Sequence, residues 1–180
     1  GLVHVHQARL VYVDQTGVHK HMIRTHGRGP KGQRVVCFQE HRGPNYTLCA
    51  AMSSTRILEW QLHRGSLDAQ GMVAFIKRLA KRLSPGVGVV LDNAKIHTSV
   101  WEPFTEILAQ VGCVVLFQPP YSPECNAIEK LWSQLKAHLR GWEPSCVQSL
   151  REALQEAIAL VTADHLTSYF LDARSRVLKW

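Results

Sequence analysis

The sequence predicts a mixed α/β fold, a mixed five-stranded sheet flanked by helices. Apolar runs of strand length, later segments with apolar residues at i, i+3 and i+4, and Gly/Pro punctuation between them carry that reading. With 180 residues, 46% of them apolar, the chain is long enough for one domain that buries roughly 70% of its unfolded surface.

The elements follow in order. Residues 8 to 14 read as a first strand, buried on both faces because its apolar character is unbroken. Gly17 to Arg34 reads as a loop or long hairpin rich in His, Gly and basic residues. Val35 to Glu40 and Tyr46 to Met52 read as strands joined by the turn signal Arg42-Gly43-Pro44-Asn45, with a weaker strand over Ile57 to Leu62. Ser66 offers an N-cap to an amphipathic helix whose stripe is Met72, Phe75, Ile76, Leu79 and Leu83. Ser84-Pro85-Gly86 stops it, and the strand Val87 to Leu91 follows. Pro103 is tolerated only in a first helical turn, so the next helix begins near Trp101 or Glu102. Phe104, Ile107, Leu108 and Val111 form its stripe, and Gly112 ends it. Val114 to Phe117 is a short strand, and Pro119, Pro120 and Pro123 force an extended loop. The remainder is helical: Asn126 to Arg140, about Val147 to Val161, and a short segment holding Leu166, Tyr169 and Phe170. Meandering strands, then helix, strand, helix, strand and a helical tail match the order of the ribonuclease-H-like fold. A doubly wound nucleotide-binding domain shares the later alternation, but no G-x-G-x-x-G or G-x-x-x-x-G-K-[ST] loop follows any strand.

Composition narrows the partners. Lys and Arg total 21 against 14 Asp and Glu, a net charge of +7, which favours a polyanion. The five cysteines are widely spaced with no C-x-x-C, so they indicate neither a disulfide framework nor a zinc knuckle and suit a reducing compartment. Histidines at 4, 6, 19, 21, 26 and 41 lack the Cys or spaced His partners of a structural zinc site. No apolar run approaches membrane-spanning length and no secretory leader is read, so the expectation is a protein neither membrane-bound nor secreted.

Three carboxylates stand out. Asp14 closes the apolar run Leu10-Val11-Tyr12-Val13, Asp92 closes Val87 to Leu91, and Glu129 lies at the start of a helix behind the proline-rich loop. A buried sheet edge could bring them together, as two-metal phosphodiester chemistry requires: a pair of hard divalent cations takes few protein carboxylates and fills its shell with water and phosphate oxygens. Each acid also has a plainer reading. Asp14 and the Asp92-Asn93 pair could be turn-formers, and Asn126 with Glu129 fits a capping box. Ser133, Lys136 and Arg140 share the helix face of Glu129, opposite Ile128, Leu131, Trp132, Leu135 and Leu139. Lys136 and Arg140 are candidates for DNA phosphate contacts or, more simply, cations at a helix end. Arg24, Arg28, Lys31 and Arg34 sit in a Gly-rich loop that suits phosphate or open solvent equally. Asn93 and His97, just after Asp92, are candidates for a supporting layer around the cations.

The segment Gln118-Pro119-Pro120-Tyr121-Ser122-Pro123-Glu124-Cys125-Asn126-Ala127-Ile128-Glu129-Lys130-Leu131-Trp132, with Lys136, resembles the P-P-Y-S-P-x-x-N-P-I-E-x-x-W-x-x-x-K motif of mariner-like transposases and their bacterial insertion-sequence relatives. Val90 to His97 resembles the second-aspartate motif, Tyr12 to Gly17 the first, and Arg28 to Arg34 the basic segment of the bacterial branch. The likeness spans roughly residues 8 to 140, and Asp92 and Glu129 are separated by 36 residues, near the family's spacing.

That resemblance implies a DDE catalytic domain of ribonuclease-H-like fold, with two Mg²⁺ or Mn²⁺ ions on Asp14, Asp92 and Glu129. It implies cleavage of double-stranded DNA at element ends, then attack of the freed 3′ hydroxyl on target DNA, typically at TA, by a homodimer to which Gly17 to Arg34 contributes. Ala127 replaces the motif's proline, and Gln15 stands where Glu is common. The 180 residues are expected to form a single catalytic domain, without the family's N-terminal helix-turn-helix modules, in a bacterial cytoplasm or a eukaryotic nucleus. A domesticated DNA-binding or scaffolding protein, and an integrase or structure-selective nuclease of the same fold, are the alternatives.

Overall fold

The computed structural model describes residues 9–19, 30–32, 45–92, 101–119, 122–142 and 146–177. Strands β1 (Leu10–His19), β2 (Asn45–Met52) and β3 (Ile57–Arg64) lead to helix α1 (Ala69–Ala80). Strand β4 (Gly88–Leu91), helix α2 (Trp101–Ala109) and strand β5 (Val114–Phe117) follow. After a single 3₁₀ turn at Pro123–Cys125 come α3 (Ile128–Trp142), α4 (Val147–Ala159) and α5 (Ala163–Val177). The expected strand Val35 to Glu40 and most of the turn after it lie outside the described residues.

The sheet has the order β3-β2-β1-β4-β5. β1, β2 and β3 form an antiparallel meander, and β4 and β5 run parallel to β1. This is the mixed five-stranded, ribonuclease-H-like sheet that the element order predicts. Its strands alternate their side chains between two cores. Val11 and Val13 of β1 and Val89 and Leu91 of β4 pack with Phe75, Ile76, Phe104 and Leu108 of α1 and α2. On the other face, Leu48, Ala50 and Met52 of β2 pack with Ile128, Leu131, Leu135, Leu150, Leu154 and Phe170 from α3, α4 and α5. Buried between two strands and two helical layers, β4 has no polar side chain, as expected of a central parallel strand.

Several boundaries differ from the sequence reading. β1 does not end at Asp14 but continues to His19, because Asp14 through His19 pair with Ala50 through Asn45 of β2. Ladder hydrogen bonds override the turn tendency of Gln15-Thr16-Gly17, so the Gly17 to Arg34 segment begins as strand. The N-cap of α1 is Asp68 rather than Ser66: its extended backbone (φ −88°, ψ 176°) lets the carboxylate accept from the Gly71 amide at 2.8 Å. The last helix runs for 15 residues where a short segment is expected. Its apolar positions are sparse in a charged stretch, and only packing supplies their partners: Phe170 meets Tyr12 edge-to-face, centroids 5.0 Å apart. The basic cluster of α1 is also only half solvated. Lys77 and Lys81 are exposed, while Arg78 and Arg82 turn back to the buried Glu59 at 3.5 and 3.0 Å. Arg82 also donates to the Leu58 carbonyl at 2.8 Å.

Helix α3 is held on the sheet by one stripe, in which Leu135 is 1% exposed. Leu135→Ala is expected to cost about 2–5 kcal/mol, read as a lowered midpoint in urea unfolding with the slope unchanged.

Candidate active site

The register between β1 and β4 decides where the first two acids stand. Leu10, Val11 and Tyr12 lie opposite Gly88, Val89 and Val90. Continuing that register past Leu91 sets Asp92 level with Asp14 on strands about 4.8 Å apart. Both fall on the α3 face by alternation. Asp92 is half-buried, and Asp14 is 5% exposed.

A carboxylate so deep needs donors, and Asp14 has three among the described residues. Its Oδ1 accepts the Gln15 amide at 2.6 Å. Its Oδ2 accepts Nδ2 of Asn126 and Nε1 of Trp132, each at 3.2 Å. Burial nonetheless dominates and pushes the carboxyl from the ordinary 3.8 up to about 6; the hydrogen bonds from Gln15 and Trp132 counter that only partly, and the charges of Asp92 and Glu129 add to the rise.

Glu129 is exposed in the first turn of α3. The expected capping box takes another form. Oδ1 of Asn126 faces the Ile128 amide at 3.4 Å, and its carbonyl accepts the Glu129 amide at 3.2 Å, while its side-chain NH₂ is committed to Asp14. The helix accordingly starts at Ile128 rather than Asn126. Along the same face, Lys136 is half-buried. Burial draws its ammonium below the ordinary range, the fields of Glu129 and Asp14 oppose that, and Arg140 adds to it. Lys136 and Arg140 thus stand in one electrostatic neighbourhood with Glu129. Lys31 is exposed in a turn whose Gly32 takes φ 86°. Arg24, Arg28, Arg34, Asn93 and His97 lie outside the described residues.

Asp14 senses the charges of Asp92 and Glu129, yet the described acids do not close into a cage. Among the described residues, no three His, Cys, Asp or Glu side chains are near enough to hold a metal ion together. Like charges resist that closure, and a divalent cation would offset the repulsion. The donor chemistry fits a hard cation: oxygen only, anionic, partly buried, with no thiolate or imidazole in its described part. Asn126 and Trp132 went unassigned as functional residues in the sequence. A buried indole N–H requires an acceptor, and that was the signal available for Trp132.

The class is therefore a ribonuclease-H-like domain with one carboxylate midway along β1 and another just past the carboxyl end of β4. More particularly, the chain belongs to the DDE superfamily of endonucleases, whose family model matches residues 9–151. Solved structures of similar fold include the Mos1 transposase paired-end complex with left transposon end (TM-score 0.79, 19% identity, covering 97% of this chain and 55% of that one). The Mos1 strand transfer complex matches with TM-score 0.81 at 18% identity, over 96% of this chain and 53% of that one. The isolated catalytic domain of Mos1 mariner transposase matches with TM-score 0.70 at 18% identity, over 97% and 81% of the two chains. This chain thus spans about 55% of the full transposase chains it resembles. No curated protein sequence matches it. No described helix is long and apolar enough to cross a membrane.

Because folded Asp14 holds its proton more tightly than the unfolded chain does, stability falls as pH rises from about 4 through about 6. Above that window the ionised carboxylate costs up to about 3 kcal/mol. Asp14→Asn is therefore expected to raise the unfolding free energy at pH 7 in chelator-treated protein. The gain should shrink towards zero below pH 4, as read by urea unfolding at the two pH values.

Proposed function

We propose that this chain is the catalytic domain of a transposase, which cleaves DNA strands at element ends and joins the freed 3′ hydroxyl to target DNA, with TA as the expected target. The observation that carries the reading is that Asp14 lies in the fields of both Asp92 and Glu129, with Asp14 and Asp92 each two residues past the last β1–β4 pair, Tyr12 and Val90. Family membership over residues 9–151 supports it. So does the likeness to structures described as transposase complexes with a transposon end, with Mn and with Mg.

In this reading Asp14, Asp92 and Glu129 are the catalytic acids and would hold Mg²⁺ or Mn²⁺, two ions per site. When bound, such ions supply charge neutralisation at the scissile phosphate and align the attacking and leaving oxygens. The chain's own contribution is positional. β1 holds the buried Asp14 under three N–H donors, Asp92 follows the end of β4 half-buried, and Glu129, exposed at a helix start, can move to meet the cations. Lys136 and Arg140 lie on its face at helical spacing and would take the flanking phosphates, as would Lys31 and the basic residues Arg24, Arg28 and Arg34. Asn93 and His97 would support the site after Asp92. Double-stranded DNA is the partner, and a homodimer the working form.

Asp14→Asn, Asp92→Asn and Glu129→Gln should each lower Mg²⁺-dependent nicking of duplex DNA by about 10³-fold or more, the several kcal/mol that metal-ion charge stabilisation contributes, with circular dichroism unchanged. A variant with full activity removes that acid from the site, and a wild-type chain with no acid-dependent Mn²⁺ binding points to a silent scaffold. Lys136→Ala should weaken DNA binding to a similar degree on all sequences. It should also lower the slope of log K against log salt by about one, as measured by fluorescence anisotropy over a salt series.

A further inference from the structure

The donors around Asp14 are unevenly distributed. Both contacts from α3 and the turn before it, the Asn126 amide and the Trp132 indole, converge on Oδ2 at 3.2 Å, while among the described residues Oδ1 receives the Gln15 backbone amide alone, at 2.6 Å. An ionised carboxylate offers about four acceptor directions, two on each oxygen. Three are filled by protein N–H groups, and both directions of Oδ2 are among them. Neither donor is free to drift away. Trp132 is 3% exposed and Asn126 6%, the indole lies in the core stripe of α3, and Oδ1 of Asn126 meets the Ile128 amide.

We propose that Asn126 and Trp132 are positioning residues that restrict Asp14 to one-point ligation through Oδ1, and so tune the site towards small octahedral cations and against Ca²⁺. The inference rests on the metal-binding role assigned to Asp14 above. The physical basis is that Mg²⁺-type ions demand near-octahedral geometry and take single carboxylate oxygens, whereas Ca²⁺ accepts six to eight ligands and readily uses both oxygens of one carboxylate. With Oδ2 sealed, two-point contact with Asp14 requires an N–H to withdraw, and neither buried donor has water to replace its lost acceptor. The donors thereby discriminate through the acceptor direction they deny. Residues that act on a metal through its ligand commonly shift affinity by about 10–100-fold when removed.

The test is calorimetric titration of this chain with Mn²⁺ and, separately, Ca²⁺, for wild type, Trp132→Phe, Asn126→Ala and Asp14→Asn. Phe keeps most of the ring volume and deletes only the donor, and Asn126→Ala removes the other donor independently should the tryptophan variant fold poorly. The expected result is Mn²⁺ binding to wild type that is lost in Asp14→Asn, with the Mn²⁺ to Ca²⁺ affinity ratio falling about tenfold or more in either donor variant. A direct readout accompanies it. The Trp132 indole N–H resonance should move in Asp14→Asn and stay protected from exchange when Mg²⁺ is added to wild type. An unchanged ratio in a folded donor variant, or an indole proton that becomes exchangeable on Mg²⁺ addition, overturns this proposal and leaves the metal site standing. Absence of Asp14-dependent Mn²⁺ binding in wild type overturns both.

Discussion

A carboxylate sealed into a sheet must be given hydrogen bonds by whatever packs over it, and in this protein that requirement joins the two ends of the site. Asp14 belongs to β1, while the donors on its Oδ2 arrive from residues 112 and 118 positions later. The stripe of α3 supplies the adhesive energy by burying Ile128, Leu131, Leu135 and Leu139. Packing of that stripe seats the helix over the sheet. Two directional bonds to one oxygen add to it in setting the helix's rotation and slide, and with them the placement of Glu129, one turn before Trp132 on the same helix. The geometry of the third acid therefore depends on the first.

The second constraint is register. Parallel strands with an in-step ladder put residues of equal rank side by side, and the β1–β4 ladder, continued two residues past Tyr12 and Val90, would set Asp14 and Asp92 level. Such an arrangement is unfavourable in an empty protein. Burial raises the cost of ionising Asp14, and the charges of Asp92 and Glu129 add to it, which is why Asp14 titrates well above the ordinary range. The fold tolerates this through the two cores on either face of the sheet, whose large side chains are almost completely buried. The destabilisation sits where a doubly charged ligand would relieve it, the pattern expected when a site is selected for binding rather than for fold stability.

Arginine placement on the far side shows the same economy of charge. Arg78 and Arg82 bind Glu59 on β3 and knit α1 to an edge strand, so part of the chain's positive balance is structural. The cations near the acids, Lys136 and Arg140, are set on α3 instead. Net charge alone does not distinguish these two uses of a basic residue.

The sequence by itself determined the type and order of the described elements and the mixed sheet flanked by helices, and it picked out Asp14, Asp92 and Glu129 as the candidate acids. Those properties are local: periodicity, turn chemistry and a proline-rich motif are each written within a few residues of one another. It left the end of β1, the cap of α1 and the length of α5 misread, because Asp14 to His19, Asp68 and the charged stretch around Phe170 take their conformations from partners distant in the chain. The same limit hid Asn126 and Trp132, which look like a helix cap and a core aromatic until β1 is laid beneath them. Only the tertiary structure decided which buried N–H meets which carboxylate oxygen, since hydrogen-bond direction depends on how a helix is seated over a sheet, and seating is a property of packed surfaces rather than of any one segment.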